Sequence, residues 1–168
     1  MKRMFSGRVW KFGHCIDSGN IKGVMAGIDP EFRAKVKPGD LIIAGINFGM
    51  GSSAEDAPRS LRDAGIAAVL AESISNIYLR TLINLGLPAI ECQGISTLVE
   101  EGDEIEVDLE SGRVRNLTNG ALLGFAPFSD HAIAILDKGG LIPYLKSSLA
   151  SQEKTAALNS RRSNESNN

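Results

Sequence analysis

Two short, wholly apolar runs, Leu41-Ile42-Ile43-Ala44 and Ala67-Ala68-Val69-Leu70-Ala71, constrain this chain more than any other feature. A strand-length run without a polar position must be covered on both faces, as happens in parallel sheets flanked by helices. Between the runs, Ser53-Ala54-Glu55-Asp56 resembles a capping box with Asp in the Glu/Gln position, and Ala57, Leu61 and Ala64 recur at helical spacing. Gly65 closes that helix. Beyond the second run, Ser75 to Leu85 predicts an amphipathic helix carrying Ile77, Leu82 and Leu85, and Leu87-Pro88-Ala89-Ile90 a short strand. The alternation predicts a strand-helix-strand-helix-strand core with a mainly parallel sheet.

The flanks follow other rules. Gly7-Arg8-Val9-Trp10-Lys11-Phe12 alternates and predicts a strand that runs into the loop 13–20. A short helix is expected over Asp29 to Val36, with Asp29 as its cap and Pro30 at its first position. After Cys92, Glu104 to Leu109 and Arg113 to Leu117 alternate strictly around Glu110-Ser111-Gly112, the pattern of a hairpin with one wet face. A last strand at Ala121 to Phe125 and a helix near Asp130 to Leu136 complete the domain. From Ser151 onward the chain has four Ser, four Asn and a single Leu, a composition that predicts a disordered tail over 149–168.

The 168 residues fit one compact domain. With 18 Lys+Arg against 20 Asp+Glu there is no basic footprint for nucleic acid or anionic lipid. No apolar run approaches the roughly 20 residues of a membrane span, and the first residues have no apolar signal core. A cytoplasmic protein that binds neither nucleic acid nor membrane is expected. Two cysteines, Cys15 and Cys92, and two histidines, His14 and His131, are a poor inventory for a metal centre, and no metal site is expected in the chain.

Gly49-Met50-Gly51-Ser52-Ser53 is the best local candidate for a site. Glycines after a strand allow close backbone approach, and the amides of a helix start can hold a carboxylate. A tight turn with an ordinary serine cap has the same sequence. No P-loop Lys and no complete G-x-G-x-x-G is present, so a nucleotide is not indicated. Asp17 follows the first strand, where it serves either as a site carboxylate or as a turn stabiliser. Arg80 could clamp a carboxylate or lie on a solvated helix face.

Several segments together resemble a known family. They are Arg8-Val9-Trp10-Lys11-Phe12-Gly13, Ile16-Asp17-Ser18, Pro38-Gly39-Asp40, Asn47-Phe48-Gly49-Met50-Gly51-Ser52-Ser53, Ala57-Pro58, Ile83-Asn84-Leu85-Gly86-Leu87-Pro88 and Gly139-Gly140-Leu141-Ile142-Pro143-Tyr144-Leu145. In this order they resemble the small subunit of 3-isopropylmalate dehydratase and homoaconitase, the swivelling domain of the aconitase superfamily, over about Gly7 to Lys146. The resemblance implies an α/β fold: a layered β/β/α swivelling domain over residues 1–148, with a mainly parallel core sheet and a C-terminal antiparallel hairpin.

It also implies a partner, a large subunit carrying a four-iron four-sulfur cluster, with no cofactor held by this chain. The implied chemistry is dehydration and rehydration of a small 2-hydroxy acid, with activity only in the pair. Ser52 matches the base that takes the proton from carbon. Gly51, Ser53, Ala54, Asp17 and Arg80 are the expected substrate-binding positions.

The chain departs from the family pattern where charge matters. Gly-Ser-Ser-Arg-Glu-His reads Gly51-Ser52-Ser53-Ala54-Glu55-Asp56, so a cation is lost and an acid gained. Asp-Thr-Asp reads Asp17-Ser18-Gly19, and Phe-Ala-Arg-Ile reads Ile74-Ser75-Asn76-Ile77. The longer loop that helps select the substrate side chain is cut to Ile21-Lys22-Gly23-Val24. A changed substrate follows, with Lys22 and Arg80 as candidates for the missing cation. A non-catalytic partner that keeps the swivel fold is the competing expectation.

Overall fold

The computed structural model describes residues 3–52 and 54–151. One seven-stranded sheet runs through it, in the order β4-β3-β2-β1-β5-β6-β7. Its strands are β1 (Met4–Lys11), β2 (Leu41–Ala44), β3 (Ala68–Ala71), β4 (Ala89–Glu91), β5 (Glu104–Asp108), β6 (Arg113–Asn116) and β7 (Leu122–Gly124). β1 joins the two halves: Val9–Lys11 pairs in parallel with β2, while Met4–Arg8 pairs antiparallel with β5. It therefore starts three residues before the predicted strand, because its first half belongs to the antiparallel sheet.

The two apolar runs are the central parallel strands β2 and β3, buried at every position. On one face, Ile42, Ala44, Val69 and Ala71 pack with Ile21, Phe32, Leu61, Tyr78 and Leu82. Those side chains come from α1 (Ser18–Met25), α2 (Phe32–Lys35), α3 (Asp56–Asp63) and α4 (Asn76–Asn84). On the other face, Leu41, Ile43, Ala68 and Leu70 meet Ile105, Val107 and Val114, with α5 (Ile95–Leu98) and α6 (Asp130–Asp137) at the flank. The antiparallel half curls over the second face, giving the expected β/β/α layering.

Several local expectations need correction. The helix expected at 29–36 is only Phe32–Lys35, capped at Glu31, while Asp29 accepts the Glu31 N–H at 3.0 Å. α3 starts at Asp56, later than the predicted capping box places it, and its N-cap Glu55 makes no side-chain cap bond. Ser53 lies outside the described residues. On α4 Leu82 and Leu85 are buried as predicted, but Ile77 is solvent-exposed and its neighbour Tyr78 takes the core position. α1 and α5 were not anticipated. The chain is helical over 141–151, so residues 149–151 continue a helix past the expected limit at 148, and 152–168 lie outside the described residues.

Pro38-Gly39 forms a turn in which the Asp40 N–H donates to Lys37 O at 3.1 Å. Asp40 is buried and accepts from Trp10 Nε1 at 2.7 Å and from the Lys37 amide at 2.8 Å, and Trp10 meets Phe32 edge-on at 5.0 Å.

Candidate functional site

The loops leaving β1, β2 and β3 meet at the carboxyl edge of the parallel strands, where open α/β sheets bind ligands. Backbone bonds stitch them together. The Gly45 amide donates to Gly13 O at 3.0 Å, Cys15 to Ile46 O at 2.8 Å, Gly49 to Ile16 O at 2.8 Å, Ser18 to Met50 O at 2.9 Å and Phe48 to Ser73 O at 3.0 Å. The segment 45–50 is thus held from both sides.

Glycine makes its turn possible. Gly49 has φ +75°, and a Cβ there would lie 2.2 Å from Cγ of Tyr78. Gly51 has φ +97°. The chain beyond it rises out of the core, and Ser52 is solvent-exposed while Ala57 and Leu61 are buried. Ser52 is fixed at two atoms: its N–H donates to Ser18 Oγ at 3.1 Å, and its Oγ accepts the Ala54 N–H at 3.2 Å. An N–H aimed at a hydroxyl oxygen favours its deprotonated form.

The structure brings Asp17, Gly51, Ser52 and Ala54 together and leaves Arg80 apart. Asp17 and Met50 pair in parallel, and the Asp17 carboxylate caps α1 by accepting the Asn20 N–H at 2.8 Å. That carboxylate is the turn stabiliser. Arg80 is exposed on α4, two positions from the core-facing Tyr78 and therefore on the outer side of the helix, and no hydrogen bond or ion pair joins it to the corner. The amides of Ser52 and Ala54 already have intrachain acceptors, which narrows the expected carboxylate cradle.

Charge enters from a shortened loop. Lys22 Nζ lies 2.8 Å from Asp56 Oδ2, and Arg59 pairs with Glu55 at 2.5 Å one turn along α3. The hydrogen bond to Lys22 holds the Asp56 carboxyl below the usual range, and the same bond raises the Lys22 ammonium. Each acid of Ala54-Glu55-Asp56 thus has a basic partner. Deeper in the edge, burial pushes Glu72 upward, but hydrogen bonds from Ser96 Oγ at 2.5 Å and the amides of Gly94 and Ser96 outweigh it and hold the carboxyl low.

Sequence reasoning missed Ser18 and Tyr78. Asp17-Ser18-Gly19-Asn20 carries a helix N-cap signal, hidden by Gly19 and Gly23 inside the short helix. Nothing local marks Tyr78, whose ring seats Gly49.

Among the described residues, no group of three or more His, Cys, Asp and Glu is placed to hold a metal ion. Cys15 is exposed after β1 and Cys92 buried after β4, both as free thiols, so the chain's own residues do not fit a cluster. No helix among the described residues is long and apolar enough to cross a membrane.

Fold and corner define a layered α/β domain with a serine-bearing turn at the carboxyl edge of its parallel strands. Residues 10–94 match the model of the aconitase C-terminal domain. The isopropylmalate/citramalate isomerase small subunit of Methanocaldococcus jannaschii is 47% identical, over 91% of this chain and 100% of that protein. The methanogen homoaconitase small subunit of Methanothermobacter thermautotrophicus is 42% identical over 87% and 94%. The crystal structure of 3-isopropylmalate dehydratase from M. jannaschii superposes with TM-score 0.85 at 34% identity, covering 90% of this chain and 99% of that one. The chain belongs to the aconitase C-terminal domain family, as a small subunit of its heteromeric hydro-lyases.

Proposed function

We propose that this chain, joined to a large subunit that carries a four-iron four-sulfur cluster, removes water from a small 2-hydroxy acid and adds it back at the neighbouring carbon, with Ser52 as the base. The observation that carries the reading is the Ser52 hydroxyl itself: exposed at the carboxyl edge, fixed through its amide by Ser18, and accepting the Ala54 N–H. The cluster supplies a Lewis acid for the substrate hydroxyl. This chain supplies the proton acceptor. Ser52 Oγ, as the alkoxide, takes the proton from carbon and becomes a neutral hydroxyl, and the Ala54 N–H steadies the negative charge that oxygen carries before the transfer.

Gly51 lets the backbone approach the substrate closely and Ala54 follows in the same turn, while Ser53 is assigned to the substrate by its sequence position alone. Asp17 belongs to this reading as support for α1, and Arg80 enters only if the partner brings the substrate across α4. The swivelling of residues 1–148 on the partner and a cytoplasmic location complete the proposal, and two free thiols suit a reducing compartment.

The test is turnover by this chain reconstituted with its cluster-loaded large subunit on citramalate and 3-isopropylmalate. Ser52→Ala should lower kcat by about 10²–10⁴-fold, the usual share of a positioned base, with the pair still assembled. A variant that turns over like the wild type overturns the assignment and favours the non-catalytic partner.

A further inference from the structure

The Lys22–Asp56 pair has more structure built around it than an exposed ion pair needs. Both side chains are well exposed, at 68% and 50%, where such a pair adds little to stability. Yet the backbone that delivers Lys22 is strained. After Lys22 (φ −51°, ψ 138°) the chain takes left-handed φ at Gly23, Val24 and Met25, and the last two are fully buried. Ser60 clamps this kink onto α3: its Oγ accepts the Val24 N–H at 3.1 Å and donates to Ala57 O at 2.7 Å. Lys22 lies one turn beyond Ser18, the residue that holds the Ser52 amide, so α1 presents Ser18 to the serine and Lys22 to the start of α3.

Behind the corner lies the Tyr78 hydroxyl, 3% exposed as a residue and the only buried side-chain polar atom without a hydrogen-bond partner among the described residues. Its ring stands edge-on to Phe48 at 5.8 Å and fills the space a Cβ on Gly49 would need. Burial first, and the charge of Asp56 second, raise its pKa.

We propose that Lys22 is the cation that receives a substrate carboxylate beside Ser52, and that Asp56 is the resident carboxylate it gives up in exchange. The inference rests on the reading of Ser52 as the base. In the exchange the substrate takes the Nζ donors, and Asp56 turns into the solvent that its side chain already faces. Glu55 remains bound to Arg59. The corner then offers one exchangeable cation, and Asp56, once released from it, adds an uncompensated negative charge that disfavours each further carboxylate, so a 2-hydroxy dicarboxylic acid is preferred over a tricarboxylic one.

Calorimetric binding and steady-state kinetics on the reconstituted pair, with citramalate as the probe and citrate as the tricarboxylate, test this. Lys22→Met should weaken citramalate at least tenfold in Kd and KM, more than it lowers kcat, and Lys22→Arg should stay within about threefold of wild type. Asp56→Asn removes the competing carboxylate and should leave citramalate equal or tighter, and citrate should bind the wild type at least tenfold more weakly than citramalate. A purely structural pair is broken equally by either substitution, so parallel losses in Lys22→Met and Asp56→Asn overturn the proposal. An unchanged Kd in Lys22→Met, or a wild-type complex that does not bind citramalate, overturns it too. Loss of kcat in Ser52→Ala together with an unchanged Lys22→Met leaves the base standing and removes only the exchange.

Discussion

Gly49 shows how one position can set a site. Its φ of +75° disfavours any side chain, and its missing Cβ leaves room for the ring of Tyr78, 2.2 Å from where that atom would be. Gly49→Ala combines a left-handed alanine with a clash inside a packed face. Together these should destabilise the fold by about 2–4 kcal/mol, measured as a lower urea midpoint with unchanged m. The glycine-rich corner was legible in the sequence because glycine and serine carry their backbone and hydrogen-bonding chemistry wherever they stand. What Asp17 and Arg80 do was not legible. A carboxylate can cap a helix or face a ligand, and a guanidinium two positions from a buried tyrosine points outward only once the buried face of α4 is known.

At the scale of elements, burial decided which were readable. β2 and β3 are covered on both faces and announce themselves as unbroken apolar runs. α1 does not, because Gly19 and Gly23 interrupt it and its second half departs from helical angles. It exists through Asp17 at one end and Ser60 of α3 at the other. Ser60→Ala removes the acceptor of the Val24 amide in a buried turn and should cost about 1–3 kcal/mol in denaturant unfolding. The kink should loosen with it, seen as faster amide hydrogen exchange at Val24 and Met25. α3 was expected from the Ser53-Ala54-Glu55-Asp56 pattern but opens at Asp56 with Glu55 at its N-cap, and Ser52 Oγ accepts the Ala54 N–H in the turn before it.

Across the whole molecule, the two hydrophobic clusters lie on opposite faces of the same strands, so neither survives without the other and unfolding should be one cooperative transition. Its dependence on acid follows from the antiparallel half. Asp103 is held below its ordinary range by the Glu100 amide and by the side chain of Asn116, which is fully buried, and Asp108 is held low by Ser111. A carboxyl whose folded pKa lies below its unfolded value stabilises the fold above that unfolded value and stops doing so as pH falls through the folded one. The thermal midpoint should therefore be level above about pH 5 and fall progressively below about pH 4, the unfolded aspartate range. Asp103→Asn should flatten that fall in a pH series of melting curves.

The sequence by itself determined the periodicities, and with them the strand-helix order, the antiparallel hairpin and the chemical types available at the glycine corner. These are short-range properties, because strand and helix faces repeat every two and 3.6 residues whatever the rest of the chain does. Only the tertiary structure decided that Ser18 holds the amide of Ser52, that Lys22 reaches Asp56 and that Tyr78 seats Gly49. Each pair joins loops or helices that follow different strands, and their distance is set by the strand order and register of the sheet, which no local pattern encodes.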